Sequence, residues 1–484
     1  MSGRVFLGGA LALVLAVPAA VARPERSAVR AGGDWTRFGY DAARRNAGPA
    51  ATGITAANVA RLRRQRVSLG GIADSSPIYL RAVPIRGRRH DAFFVTTSYG
   101  KTLAVDADSG AVLWRFTPRG YASVAGSYRI TNASPLADPS RRFVYSVSPD
   151  GQIHKLVVAT GREVRTGGWP VTITRDATRE KIAPALNYSR GLVLAGTGGY
   201  IGDAPSYQGH IAAIDARTGR LVFVWNSLCS DRRGLIVPRT CSESGSAIWA
   251  RSGVVVDPAT GNLIVATGDG RFDGKRFWGD SVLVVSRAGR LLRNWTPQNQ
   301  RELEEGDVDL GSTAPALLGS SLAVQSGKDG RLRLLDLRRL NGRSASAGAL
   351  TGGELQTLST PGGDGLFSAP AVWRRGGVTR VFVATGSGTW CYALSGRRLR
   401  VVWRSSAGGT SPVVAGGLLY VYGESAGRLS VYRPESGKLV ASLAAGAGHW
   451  NSPIVTDGRI ALTEGDANDH RTSGFLDIYR IRAS

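Results

Sequence analysis

Residues 102–116 read TLAVDADSGAVLWRF, and nearly the same phrase returns at 211–225 as IAAIDARTGRLVFVW and at 429–443 as LSVYRPESGKLVASL. Each copy holds two apolar stretches around a turn. Leu103 and Val105 alternate, Asp108-Ser109-Gly110 turns, and Val112 and Trp114 alternate again. Period-two alternation predicts half-buried strands, and the Asp/Ser/Gly cluster predicts the hairpin joining them. Looser copies lie at 153–164, 281–295, 331–337 and 390–403.

Ahead of each copy stands a small residue, usually followed by proline, that opens an apolar strand: SSPIYL (75–80), ASPLAD (133–138), APALLG (314–319). Taking Pro77, Pro135, Pro184, Ala247, Pro315, Pro370, Pro412 and Pro453 as markers gives eight units, spaced 41 to 68 residues apart. A further strand such as FVYSVS (143–148) brings each unit to four. Four-stranded repeats of this size are propeller blades, which cannot bury both apolar faces alone and pack radially into a ring. The expected fold is all-β, an eight-bladed propeller of antiparallel blades, with seven the competing count. The eighth unit stops after its third strand, so LRRQRVSL (62–69) is expected to supply the missing outer strand and latch the ring. The long units carry insertions at 226–246, 269–280 and 296–311, and loops on a rigid scaffold are where binding resides.

The first residues, MSGRVFLGGALALVLAVPAAVARPE, place Arg4 before an apolar run and Ala20-Val21-Ala22 after it. This is the pattern of a signal peptide over 1–22, an uncleaved anchor being the competing reading. Residues 23–34 then form a linker and 35–484 one propeller domain, exported to the periplasm or beyond as a monomer without an integral membrane segment. In an oxidising compartment Cys229 and Cys241, bracketing a short segment, are expected to pair, leaving Cys391 as a buried apolar residue. The formal charge is +25, yet only six of the 61 basic residues are Lys and no nucleic-acid-binding motif accompanies them. The charge suits an anionic envelope polymer, and the scattered Arg residues without a motif give no support to specific nucleic-acid recognition, so no nucleic-acid partner is expected.

The repeats resemble the pyrroloquinoline-quinone (PQQ) propeller family over about 35–484, beginning with WTRFGYDAARRN (35–46). That resemblance implies either of two functions, since the family holds quinoprotein alcohol dehydrogenases and non-enzymatic envelope-assembly proteins. For a dehydrogenase it implies PQQ lying on Trp249, within IWARSGVVVDPATGNLIVATGDG (248–270), and a Ca²⁺ site at Asp269 in place of the family's Asn. It further implies Asp309 of EGDVDLGS as general base and Lys328 of SGKDG as the cation on the quinone oxygens. Asp307, two residues before Asp309, calls for a solvated or cation-bearing setting and is the second metal candidate. The departures are Tyr200 where the family has its Ca²⁺-binding Glu, no Cys-Cys pair, and no C-x-x-C-H for a haem. His449, Trp450, Asn451 and Asn468 are further candidates for the axial face, while the scattered histidines give no zinc spacing. The incomplete cofactor set favours a secreted binding or envelope-assembly module with a protein or polymer partner. The alternative is a PQQ- and Ca²⁺-dependent alcohol or polyol dehydrogenase.

Overall fold

A computed structural model describes residues 32–340 and 351–481, together with Met1 and Gly3. The expected leader over 1–22 and most of the 23–34 linker lie outside the described residues. Eight four-stranded antiparallel sheets form the ring, as expected. In the first blade the strands Ile78–Ile85, Arg88–Thr96, Thr102–Asp106 and Val112–Phe116 run from the axis outward in chain order. The next six blades repeat that order. The eighth takes Ile454–Thr456, Arg459–Glu464 and Phe475–Arg480 from the end of the chain and Arg63–Ser68 from its beginning. Arg63 faces Arg480 and Ser68 faces Phe475 across this closing ladder. Arg64 and Arg66 add ion pairs to the buried Glu464, so the latch is polar as well as hydrogen-bonded.

The hydrophobic core is a set of seams between blades. One cluster joins the first and second blades through Phe94, Trp114 and Leu156; another joins the second and third through Tyr145, Trp169 and Ile214. The largest joins the seventh, eighth and first, where the ring closes. Here the strand pattern differs from the sequence expectation. Thr102–Asp106 is buried on both faces, Ala104 as fully as Leu103 and Val105. Alternation survives only in outer strands such as Leu439–Ala444. The physical reason is that a middle strand has a neighbouring blade on each side, and only an outer strand meets water.

The hairpin phrase recurs because it builds the seam. Trp114, ending the outer strand of the first blade, donates Nε1–H to the carbonyl of Val158 in the second, 2.8 Å away. Its ring lies over Gly161, where a Cβ would stand 2.6 Å from the indole. Trp403 of the sixth blade repeats this on the seventh, donating to the carbonyl of Pro434 and covering Gly437. Phe223 covers Gly289 in the same way. Gly161 also has φ +71°, a left-handed conformation that a side chain resists.

Residues 34–53 pass across the axial opening. They accept or donate backbone hydrogen bonds at Tyr79, Ala137, Val256, Val372 and Val414, on the innermost strands of five blades, and at Gly458, in the turn that follows the innermost strand of the eighth. Arg44 is buried yet satisfied, donating to the carbonyls of Phe38, Ala185 and Leu186. Inner strands expose an unpaired edge to the axis, and this plug supplies their partners.

Gly161→Ala should lower stability by about 2–4 kcal/mol, combining left-handed strain with a clash against Trp114. Gly87→Ala, at φ +82° with nothing within 4 Å of the new Cβ, should cost only about 1 kcal/mol. Denaturant unfolding of both variants checks the difference; equal losses would mean that the Trp-on-Gly contact adds nothing.

Candidate functional site

Each inner strand starts at one end of the axis, and the backbone of the plug bonds residues within those strands or just past them, from Tyr79 to Gly458. The opposite end is therefore open. A cavity of about 650 Å³ lies there, lined by segments that immediately precede the inner strands, by the stretch from Gly199 to Tyr207, and by residues of the 269–280 and 296–311 insertions. Trp249, Asp269, Asp307, Asp309, Lys328, His449, Trp450 and Asn468, all expected from the sequence, line it together. Asn451 does not join them: it is fully buried and turned into the ring, donating to the carbonyl of Ala73 and to Thr463.

One wall is acidic. Asp269, Asp307 and Asp309 bring one carboxylate oxygen each within 4.8 Å of one another. Asp309 is buried and fully engaged: Oδ1 accepts from Trp249 Nε1 at 3.3 Å and from the backbone N–H of Asp269 at 2.9 Å, while Oδ2 pairs with Lys328 at 2.5 Å. This close approach requires Gly268, since a Cβ there would stand 1.9 Å from Asp309 Oδ1. Asp307 is exposed and holds Lys328 through Oδ1 at 2.8 Å, leaving Oδ2 free. Burial and the nearby Asp309 push the Asp269 carboxyl up to about 8. Burial opposes the charge of Lys328, but Asp309 and Asp307 outweigh it and hold its ammonium protonated. Behind this wall Asp280 is raised well above the ordinary carboxylate range by burial, and its Oδ2 has no hydrogen-bond partner. One lysine faces three carboxylates, so the wall holds more negative charge than it neutralises. That donor set suits a hard cation.

A second wall is aromatic. Trp450 and Phe367 stack with centroids 5.5 Å apart and planes 10° from parallel, and Trp249 lies 5.7 Å from Trp450. His449 stacks on the other side of Trp450 at 3.8 Å. Its Nδ1 faces Asp74 at 2.9 Å and Asp466 at 3.3 Å. Asp74 is fully buried; burial works against its charge, but Arg251 and His449 overcome that and hold the carboxyl below its usual range. The side chains suit a flat ring system bearing polar atoms at its edge.

Tyr200, at the position of the family's Glu, lines the cavity but spends its hydroxyl on the carbonyl of Ala177. Asp203, three residues on, does bring a carboxylate to the rim, where Tyr207 donates to it at 2.7 Å. Asp203, Lys181, Arg251, Asn132 and Phe367 escaped the sequence reading. A signal existed: Asn132, Lys181, Phe367 and Trp450 each stand three residues before a marker proline, and Asp74 occupies the same place before Pro77. The predicted Cys229–Cys241 disulfide is present, with Cα atoms 6.1 Å apart, and Cys391 is free and buried.

Residues 35–281 match the β-propeller domain family of glucose, ethanol and alcohol dehydrogenases, and 374–475 match the outer membrane protein assembly factor BamB. The quinohemoprotein alcohol dehydrogenase ADH IIB of Pseudomonas putida is 26% identical over 400 residues, covering 72% of this chain and 53% of its own length. The chain thus spans about half of that relative. Among solved structures, the quinohemoprotein alcohol dehydrogenase of Comamonas testosteroni superposes with a TM-score of 0.68 at 16% identity, over 95% of this chain and 82% of that one. A europium-containing methanol dehydrogenase does so with a TM-score of 0.66 at 16% identity, over 93% and 98%. At such identities these two show a shared fold. The match over 35–281 takes in more than half of the sequence, and with the eight four-stranded blades it places the chain in the PQQ-like β-propeller family.

Proposed function

We propose that the protein is a quinone-dependent dehydrogenase of alcohols, exported from the cell, that uses PQQ and a hard cation in the axial cavity. The observation that carries this reading is the crowded acidic wall beside an aromatic one: three carboxylates, one lysine, and a flat apolar surface within one cavity. PQQ, when bound, supplies a two-electron acceptor for the hydrogen on the alcohol carbon. Trp249 would offer its face to the planar group, and Lys328 would be the donor for oxygens at its edge. Asp269 and Asp309 would supply carboxylates for the cation, whose charge their wall lacks. The two carboxylates of the DVD segment exchange the roles expected from the sequence, where the resemblance made Asp309 the base and the crowding of acids made Asp307 a metal candidate. Asp309 has both oxygens occupied and anchors, whereas Asp307 keeps Oδ2 free and takes the hydroxyl proton. The disulfide supports an oxidising compartment, and no helix among the described residues is long and apolar enough to cross a membrane.

The binding or assembly module favoured by the bare sequence keeps the support of the partial match over 374–475. It gives no use to a cavity of this size with an unneutralised carboxylate cluster, and the curated relative is a dehydrogenase.

Calorimetric titration of PQQ with Ca²⁺ or La³⁺ present should give saturable binding. Asp309→Asn should weaken it at least about tenfold, since a charge-assisted contact contributes that much. Absence of binding at high micromolar PQQ with either cation would return the module reading to first place.

The cation site carries its own pH dependence. A cation must displace the proton that Asp269 retains up to about pH 8, so its affinity should rise with pH. With one proton displaced, the gain is about tenfold per pH unit between pH 6 and 8, then a plateau. Calorimetry with La³⁺ at three pH values measures it. In Asp269→Asn the slope should vanish; a slope retained there would assign the proton to another group.

A further inference from the structure

The basic side chains of the cavity are unequally employed. Lys328 is paired with Asp307 and Asp309. Arg251 is paired with Asp74 and also donates to the carbonyls of Asp74 and Asn132. Lys181 lines the same cavity and has neither an ion pair nor a hydrogen bond among the described residues. Its Nζ lies 5.8 Å from the Tyr200 ring, and it senses the Asp74 and Asp203 carboxylates and Arg251 at longer range without pairing to either acid.

The backbone explains why the adjacent Glu180 does not neutralise it. Glu180–Lys181 pairs with Gly198–Gly199 in a two-stranded sheet at the inner rim of the third blade. Successive residues of a strand point to opposite faces. Glu180 therefore turns inward, accepting from Thr174 and from the N–H of Gln208 at 3.1 Å, while Lys181 turns to the cavity. Burial pushes the Lys181 ammonium down to about 8 and the Glu180 carboxyl up to about 8. Two groups that look self-compensating in the sequence are kept apart by the strand.

We propose that the Lys181 side of the cavity is an anion subsite, taking a carboxylate of the bound ligand. Lys181 supplies a counter-charge that no carboxylate among the described residues pairs with at ion-pair distance, Asp74 and Asp203 acting on it only from farther off. The Asn468 side chain, which also lines the cavity, makes no hydrogen bond among the described residues and offers a further donor. The acidic wall of Asp269, Asp307 and Asp309 repels a carboxylate. A ligand bearing one is accordingly oriented with its anionic group toward Lys181 and its neutral oxygens toward Lys328. The carboxylate has two sources, an acidic planar quinone cofactor or a hydroxy-acid substrate. The cofactor source rests on the function proposed above; the anion subsite itself does not.

The test compares the full chain with Lys181→Met and Lys181→Arg. Removing a buried unpaired charge should leave the melting temperature of Lys181→Met unchanged or higher, which establishes folding. Calorimetry then uses three probes: PQQ with Ca²⁺, PQQ trimethyl ester with Ca²⁺, and glycolate. If the cofactor is the source, Lys181→Met weakens PQQ about ten- to hundredfold, Lys181→Arg largely restores it, and the ester binds both proteins alike. If the substrate is the source, PQQ binding is unchanged and the loss falls on glycolate. Should the unaltered protein bind no PQQ, the function proposed above fails, and glycolate with benzene-1,3,5-tricarboxylate still decides the subsite. Equal binding of PQQ, glycolate and the tricarboxylate by the unaltered chain and Lys181→Met would overturn it.

Discussion

The ring depends on one repeated contact, an aromatic side chain from the outer strand of one blade laid on the hairpin glycine of the next. Trp114 on Gly161, Phe223 on Gly289 and Trp403 on Gly437 are instances. A buried indole contributes roughly 4–6 kcal/mol of gross transfer free energy, offset by the ordering of the chain that holds it. The contact also sets geometry. A glycine without a Cβ lets the ring approach the turn, and the indole N–H fixes its angle by bonding a carbonyl of that turn. Blades docked one by one in this way would leave two free faces at the ends of the array. The pairing of Arg63–Ser68 with Phe475–Arg480 removes both.

Closure has a consequence for the site. Inner strands converge on the axis and present unpaired backbone there, so both axial ends need cover. At one end the segment 34–53 supplies it, with Arg44 and Asn46 donating to carbonyls of the third and sixth units. The other end is left to side chains, and at four of the eight markers the residue three places before it lines the cavity. The ring thus presents an equivalent position from several blades to a single cavity, and chemistry is chosen by what stands at it. Asn132, Lys181, Phe367 and Trp450 are four such choices, with Asp74 behind them.

Fold legibility followed from repetition. Eight markers and a truncated last unit were enough to give blade number and closure, because a propeller writes the same constraint eight times. The strand burial was misread for the same reason that the ring is stable: Ala104 and its equivalents pack against a second blade that a local alternation pattern does not register. The cavity lining was legible where the family phrase covers it, at Trp249, Asp269, Asp309 and Lys328, and also at Asp307 and in the late loops at His449, Trp450 and Asn468. Lys181 carried no motif, and beside Glu180 it resembled a solvated pair. Its place depends on strand direction and on the brief pairing with Gly198, which single residues do not announce. Asn451 failed in the opposite sense, polar and next to Trp450 but turned inward to bond Ala73 and Thr463.

The cavity is polarised in a way that neither wall alone explains. Carboxylates crowd one side and raise the Asp269 carboxyl, while on another side burial lowers an unpaired ammonium at Lys181. Each perturbation costs stability in the free protein, since each group would rest closer to its ordinary charge in water. Both costs are relieved together by a ligand set with a cation for the acids and an anion for the lysine. A rigid ring closed by its own termini can hold such opposed, unsatisfied charges without collapsing one onto the other. The anionic ligand and the cation should then each improve the binding of the other, because either one admitted alone leaves part of the strain in place.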